Sequence, residues 1–353
     1  MKKILLFLCL FCVVFSGLSY GVEVSLEKTE KEAQKTKLVP CLSHLFDLRK
    51  GPDGVFLAYP SFVCVDNAAN QIYVVDSGHS RVVIYTADGY PLYVMDRNRK
   101  VEAPAGLFID DKGFIYLCQV KTNGQVKGRI SIFDPCLRWR KDMFFTGFDG
   151  AEKFIPRTVA VSRNGRIYVS GDGFKGVLVL DHEGRFLHMI SPEDEILEVR
   201  GKADICAVYI DRKGRIYLLS EGYGRVYVYD ADEKFLFKFA QKGGSSGKLS
   251  RPQALAVDEN TQRIYVVDYL RHTVSVFDYN GKYLFEFGGK GWSPGWFQYP
   301  TYICIDTAGR VLVADTFNQR VQVLKVKVYE GIEEKIKTLR PSLPFKLRLK
   351  KKK

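Results

Sequence analysis

The chain has 353 residues, 46% of them hydrophobic, and a formal net charge of +13. That apolar content over that length supports a large folded core and excludes a disordered or low-complexity chain. The charge is concentrated at one end: residues 325–353 hold eleven Lys or Arg against three Glu, so the body is only mildly basic and residues 329–353 read as a solvated basic tail.

At the start, Met1-Lys2-Lys3, the apolar run Ile4–Phe15 and the small residues Ser16, Gly17, Ser19 and Gly21 have the layout of a secretory signal. Residues 1–21 are therefore expected to export the chain to the periplasm or the cell exterior, either cleaved or kept as a membrane anchor, because Leu18 and Tyr20 lengthen the apolar stretch toward a spanning length. A polar linker is expected over 22–40. Six cysteines follow: Cys41, Cys64, Cys118, Cys136, Cys206 and Cys304. None forms CxxC or CxxCH, which excludes a zinc ribbon, a dithiol redox motif and a covalent haem site. An even count in an exported chain permits disulfides. Cys64 (FVCVD) and Cys304 (YICID) nevertheless occupy equivalent places in apolar runs and read as small core residues.

The body repeats itself. The unit YPSFVCVDNAANQIYVVD and altered forms of it occur six times in all, the opening position falling at Pro60, Pro104, Pro156, Asp204, Pro252 and Pro300. Steps of 44 to 52 residues suit propeller blades, each a four-stranded sheet. The fifth repeat shows the anatomy: an inner strand at Leu255–Val257, a turn over Asp258–Gln262, then strands at Ile264–Val267, Thr273–Phe277 and Tyr283–Phe287. The inner strands are almost unbroken apolar runs, as expected when neighbouring blades cover both faces. The sixth repeat stops after its third strand, Arg320–Leu324, while His44–Pro60 carries the missing pattern of apolar strand, basic-Gly loop and Tyr-Pro. The expected fold class is thus all-β, a six-bladed β-propeller over 41–328, with the N-terminal strand Leu42–Leu48 closing the last blade and covering its edge.

These units resemble the NHL repeat, most closely in DSGHSRVVIY (76–85) and DTFNQRVQVL (315–324). The family pattern sets Asp after the second strand and Arg five positions later, as in Asp76/Arg81 and Asp315/Arg320. Repeat four keeps Arg225 but has Ser220, repeat five keeps Asp268 but has Thr273, and repeat three has Gly171 and Gly176. The pair reads as a structural ion pair between adjacent strands. The resemblance implies a fold shared by lyases, lactonases, sensor domains and protein- or RNA-binding modules, so the site must choose among them.

A lyase of this type would hold zinc with several His at the channel mouth, where only His79 and His272 are expected. A lactonase would gather carboxylates and Asn around calcium, yet the inner strands open on Ser61, Ala105, Arg157, Ile205, Gln253 and Thr301, with Asp204 the one carboxylate beside them. No metal, cofactor or catalytic set is expected, and the chain reads as an extracytoplasmic scaffold; the alternative is a propeller enzyme of the lyase or lactonase kind. Its binding face is expected on the loops between second and third strands and between blades, where blades five, six and one bring together Tyr269, Arg271, Trp292, Trp296, Phe317 and His79. Such cations and aromatics suit a protein partner or an anionic envelope polymer. The basic tail adds contact with a membrane surface, and export argues against cytoplasmic nucleic acid.

Overall fold

A computed structural model describes residues 37–331 apart from 173, 197 and 198. Blade one is β2 (Pro60–Asp66), β3 (Gln71–Asp76), β4 (Arg81–Thr86) and β5 (Pro91–Met95), following β1 (Lys37–Leu48). Blade two is β6 (Pro104–Ile109), β7 (Ile115–Thr122), β8 (Gln125–Phe133) and β9 (Trp139–Phe144). Blade three is β10 (Ile155–Val161), β11 (Ile167–Asp172), β12 (Val177–Leu180) and β13 (Phe186–Ile190). A two-stranded hairpin, β14 (Glu193–Ile196) and β15 (Val199–Lys202), intervenes. Blade four is β16 (Ala207–Ile210), β17 (Ile216–Ser220), β18 (Arg225–Tyr229) and β19 (Phe235–Phe239). Blade five is β20 (Pro252–Asp258), β21 (Arg263–Asp268), β22 (Thr273–Asp278) and β23 (Tyr283–Gly288); blade six is β24 (Tyr302–Ile305), β25 (Arg310–Asp315), β26 (Arg320–Gly331) and, outermost, β1.

β1 pairs antiparallel with β26 from Lys37↔Gly331 to Leu48↔Val321, with a bulge between His44 and Phe46. It begins four residues inside the span read as linker, and β26 takes in the first three residues of the span read as tail. The signal segment, the rest of the linker and the rest of the tail lie outside the described residues.

Each inter-blade space is filled from both sides. At the seam, Leu57, Val63, Ile72, Val74, Val83 and Tyr85 of blade one pack with Leu48 of β1 and with Leu312, Ala314, Val321 and Val323 of blade six. Each such side chain contributes about 1.5–3 kcal/mol when fully buried. The blades approach closely at the channel: a Cβ on Gly106 in β6 would meet the Arg157 carbonyl of β10 at 2.3 Å.

The repeat's aspartate has a wider role than an ion pair. Asp76 accepts from Arg81 Nε at 2.7 Å and also from the Ala58 N–H in the preceding connection at 2.7 Å. Asp315 accepts from Arg320 Nε at 2.8 Å and the Gln298 N–H at 2.6 Å. Asp268, which lacks an arginine, accepts from the N–H groups of Ser250, Arg251 and Arg271. The carboxylate therefore fastens the chain entering blades one, five and six, and this explains its retention in blade five, where the arginine is lost. In blade four the roles are redistributed: Asp204 accepts from Ser220 Oγ and the Gly222 N–H, while Arg225 pairs with Asp194 of the hairpin at 2.9 Å. Asp194 also accepts from Tyr227 and Lys238, so the acidic run Glu193-Asp194-Glu195 has its central carboxylate buried.

Candidate functional site

Because each blade is an antiparallel meander, its second–third turns and the inter-blade connections share one end of the channel, and its first–second turns share the other. The expected residues lie at the first end, where four rings form a continuous row. Tyr59 meets Phe317 edge-on with centroids 5.6 Å apart, Phe317 meets Tyr299 at 4.9 Å, and Tyr299 meets Tyr269 at 4.9 Å. The row crosses blades one, six and five. Arg251 lies over Tyr269 at 5.2 Å and Lys290 over Tyr299 at 6.0 Å, so the two rings at the blade-five end of the row each carry a cation on one face.

Local backbone holds the rings outward. Tyr59 and Tyr299 each precede a proline and adopt φ of +51°. A bulky residue with positive φ is an outlier, costing of order 1–3 kcal/mol. Ala103 occupies the corresponding place before Pro104 at φ +46°, so the repeat imposes the conformation and an aromatic ring is not needed to support it. His272 buttresses the row: its ring sits 4.5 Å from that of Tyr299, and its Nδ1 accepts the Tyr299 N–H at 2.9 Å. Burial, followed by the nearby Lys290 charge, pushes the His272 pKa below its ordinary value, which favours the neutral ring that this hydrogen bond requires.

The other expected residues divide. Trp292 is 71% exposed at the tip of its loop. Trp296 packs its ring on Gly289 and Gly291 and passes its carbonyl to Gln322 at 2.7 Å, a staple of the loop onto blade six. Arg271 is drawn away from the face, 2.7 Å from Glu286 and donating to the Lys248 carbonyl at 3.1 Å. His79 stays at the rim, with Nδ1 held 2.9 Å from Asp76. Tyr59, Tyr299 and His272 complete the site but were not among the expected binding residues; the Tyr-Pro dipeptides at 59–60 and 299–300 are the signal that marks two of them.

A second concavity lies at the opposite end. A cavity of about 610 Å³ is enclosed by the first–second turns of all six blades and walled by Phe108, Tyr116 and Tyr209. Lys112, Arg163, Arg212 and Lys213 rim it, exposed and without ion-pair partners among the described residues. Among the turn carboxylates there, Asp110 accepts from two backbone N–H groups, Asp211 from Arg215 N–H and Tyr217, and Asp306 from Arg310, while Asp111 is exposed. Among the described residues no three His, Cys, Asp or Glu side chains converge in a metal-holding group.

The NHL repeat family matches residues 57–85, and a family described as a 6-bladed beta-propeller matches residues 253–338. No curated protein matches the sequence significantly. Among solved structures, a Bacteroides thetaiotaomicron protein of unknown function is similar at 14% identity and TM-score 0.60, covering 82% of this chain and 77% of its own. An auxiliary nutrient binding protein from the same organism is similar at 11% identity and TM-score 0.60, over 84% of this chain and 78% of that one. A gluconolactonase from Xanthomonas campestris is similar at 14% identity and TM-score 0.57, over 81% and 89%. At these identities the likeness is one of fold. With both family matches falling on a closed ring of six four-stranded sheets, the chain is a six-bladed β-propeller of the NHL-repeat type.

Proposed function

We propose that the protein is an exported, non-catalytic binding module that holds a partner protein across the aromatic row at the loop end of its channel. The carrying observation is the row itself, with Tyr59 and Tyr299 held on the face by left-handed backbone that an alanine fills equally well in blade two. The rings, about 5 Å apart, offer one unbroken apolar strip, and Arg251 and Lys290 add attraction for a partner's carboxylates or carbonyls. Trp292, beside the row and 71% exposed, supplies the residue type that most often anchors an interface. The hydrogen bonds already held by Asp110, Asp211 and Asp306, with no converging donor set among the described residues, favour binding over lyase or lactonase chemistry. The nutrient-binding description of one similar fold agrees with a binding role. In this reading the N-terminal segment exports the protein, and the basic tail adds attraction to anionic envelope surfaces.

The test is quantitative cross-linking and recovery of partners from the cell envelope with the wild type and with Trp292→Ala/Phe317→Ala. Loss of two such anchors should weaken binding by roughly 2 kcal/mol or more, about thirtyfold, with melting nearly unchanged. Recovery of an anionic polysaccharide in place of a protein would reassign the ligand, and equal recovery by both proteins would remove the site from this face.

A further inference from the structure

Cys64 and Cys304 stand on the inner strands of the two blades that meet at the seam, β2 and β24. The flanking residues pair across the seam in one register, each blade-six position lying 240 residues after its blade-one counterpart. Thr301 Oγ1 donates to the Ser61 carbonyl at 2.9 Å, the rings of Phe62 and Tyr302 stack with centroids 3.6 Å apart, and Thr307 donates to Asn67 Oδ1 through its N–H at 3.0 Å and its hydroxyl at 3.1 Å. Cys64 and Cys304 fall inside this register. Both are half-buried, and their side chains are neighbours across the seam, between pairs in contact on either side. The other core cysteines are placed differently: the Cys206 thiol donates to the Leu219 carbonyl at 3.3 Å, and Cys118 is fully enclosed.

We propose that Cys64 and Cys304 form a disulfide that locks blade one to blade six, a covalent closure additional to the pairing of β1 with β26. It is independent of the ligand reading. The bond would enclose almost the whole ring in one loop, the arrangement in which a cross-link restricts the unfolded chain most. One thiolate attacks a disulfide of glutathione class, releasing one thiol and leaving a mixed disulfide; the second cysteine displaces the remaining thiol. Two electrons and two protons thus leave the protein, and the oxidant becomes two thiols. An oxidising compartment, expected from the N-terminal segment, maintains such oxidants. The hydrogen bond to Cys304, and then burial, hold the Cys64 thiol well above its ordinary range, so it is a poor nucleophile once the ring is shut. The bond is accordingly made as the last blade docks.

The experiment is refolding of the full chain in a glutathione redox buffer and, separately, in reductant, followed by peptide mapping without reduction. We expect one linked peptide pair containing Cys64 and Cys304, a mass lower by two hydrogens, and a Tm on the order of 10 °C above the reduced protein. Cys64→Ala/Cys304→Ala should melt at the reduced temperature in both buffers. The same mapping on protein exported in cells and purified without reductant covers mispairing during refolding. Recovery of both cysteines as free thiols, or linked elsewhere, in that folded protein overturns the proposal; a 64–304 link without a higher Tm overturns the lock.

Discussion

Two arginines reach the same oxygen of Asp47. Arg49 Nη2 lies 2.8 Å from Oδ2, and Arg320 Nη1 lies 3.2 Å from it, so distance alone favours Arg49. Exposure reverses the ranking: the side chain of Arg49 is 48% accessible and that of Arg320 3%. Arg320 also binds Asp315, whose side chain is fully buried, and the Trp292 carbonyl at 2.8 Å. Arg49→Met should therefore cost less than about 1 kcal/mol, the range of exposed pairs. Arg320→Met strands a buried carboxylate, a class of change worth about 3–5 kcal/mol. Asp315 retains donors in Gln298, Asn318 and Gln322, which places the cost toward the lower limit. At roughly 2–4 °C per kcal/mol, the Tm should fall by about 6–12 °C. Calorimetry at neutral pH with guanidinium unfolding at matched m-values is the assay. The pH dependence adds a second check. Burial alone would raise the Asp47 pKa, but hydrogen bonds from His44 and Arg49 and the charge of Arg320 hold it below the ordinary value. A carboxylate with a lowered folded pKa stabilises above its unfolded value and loses that stabilisation as pH falls below about 4, so the gap between wild type and Arg320→Met should narrow there. Equal losses from the two variants at pH 7 would show that burial does not govern these pairs.

His272 carries a signature of the opposite ionisation. Because its folded pKa is lowered, the unfolded chain binds the proton first; its contribution is present above about pH 6.5 and declines as pH falls below that value. The Tm should drop between neutral and mildly acidic pH, and His272→Asn, which keeps an acceptor for the Tyr299 N–H and tolerates φ +57°, should flatten that limb; an unchanged slope would assign the titration elsewhere. On β1, Leu48 is 1% and Leu45 44% exposed. Leu48→Ala should cost about 3 kcal/mol or more and Leu45→Ala within about 0.5, read by chemical denaturation; similar costs would mean that β1 is a loosely applied edge and not part of the seam core.

The blade count, the four-strand unit and the candidate closing strand are legible in the sequence. These features are local: alternation, turn chemistry and a 48-residue period are written within each repeat, as in Pro252–Gly288, whose four strands fall where the pattern puts them. It also marked Trp292 and Phe317 as exposed loop aromatics, which the structure places at the face. Which of the expected residues stand unpaired at the face depends on packing between strands and blades. Arg271 looks as available as Trp292 in one dimension, but Glu286, reached only after the sheet has formed, occupies it. The aromatic row and the turn-end cavity were likewise beyond a linear reading, since their rings and turns come from separate blades. The seam is the clearest instance: Cys64 and Cys304 look like two ordinary core residues until the ring closes, because only the angle subtended by six packed sheets brings positions 240 residues apart into contact.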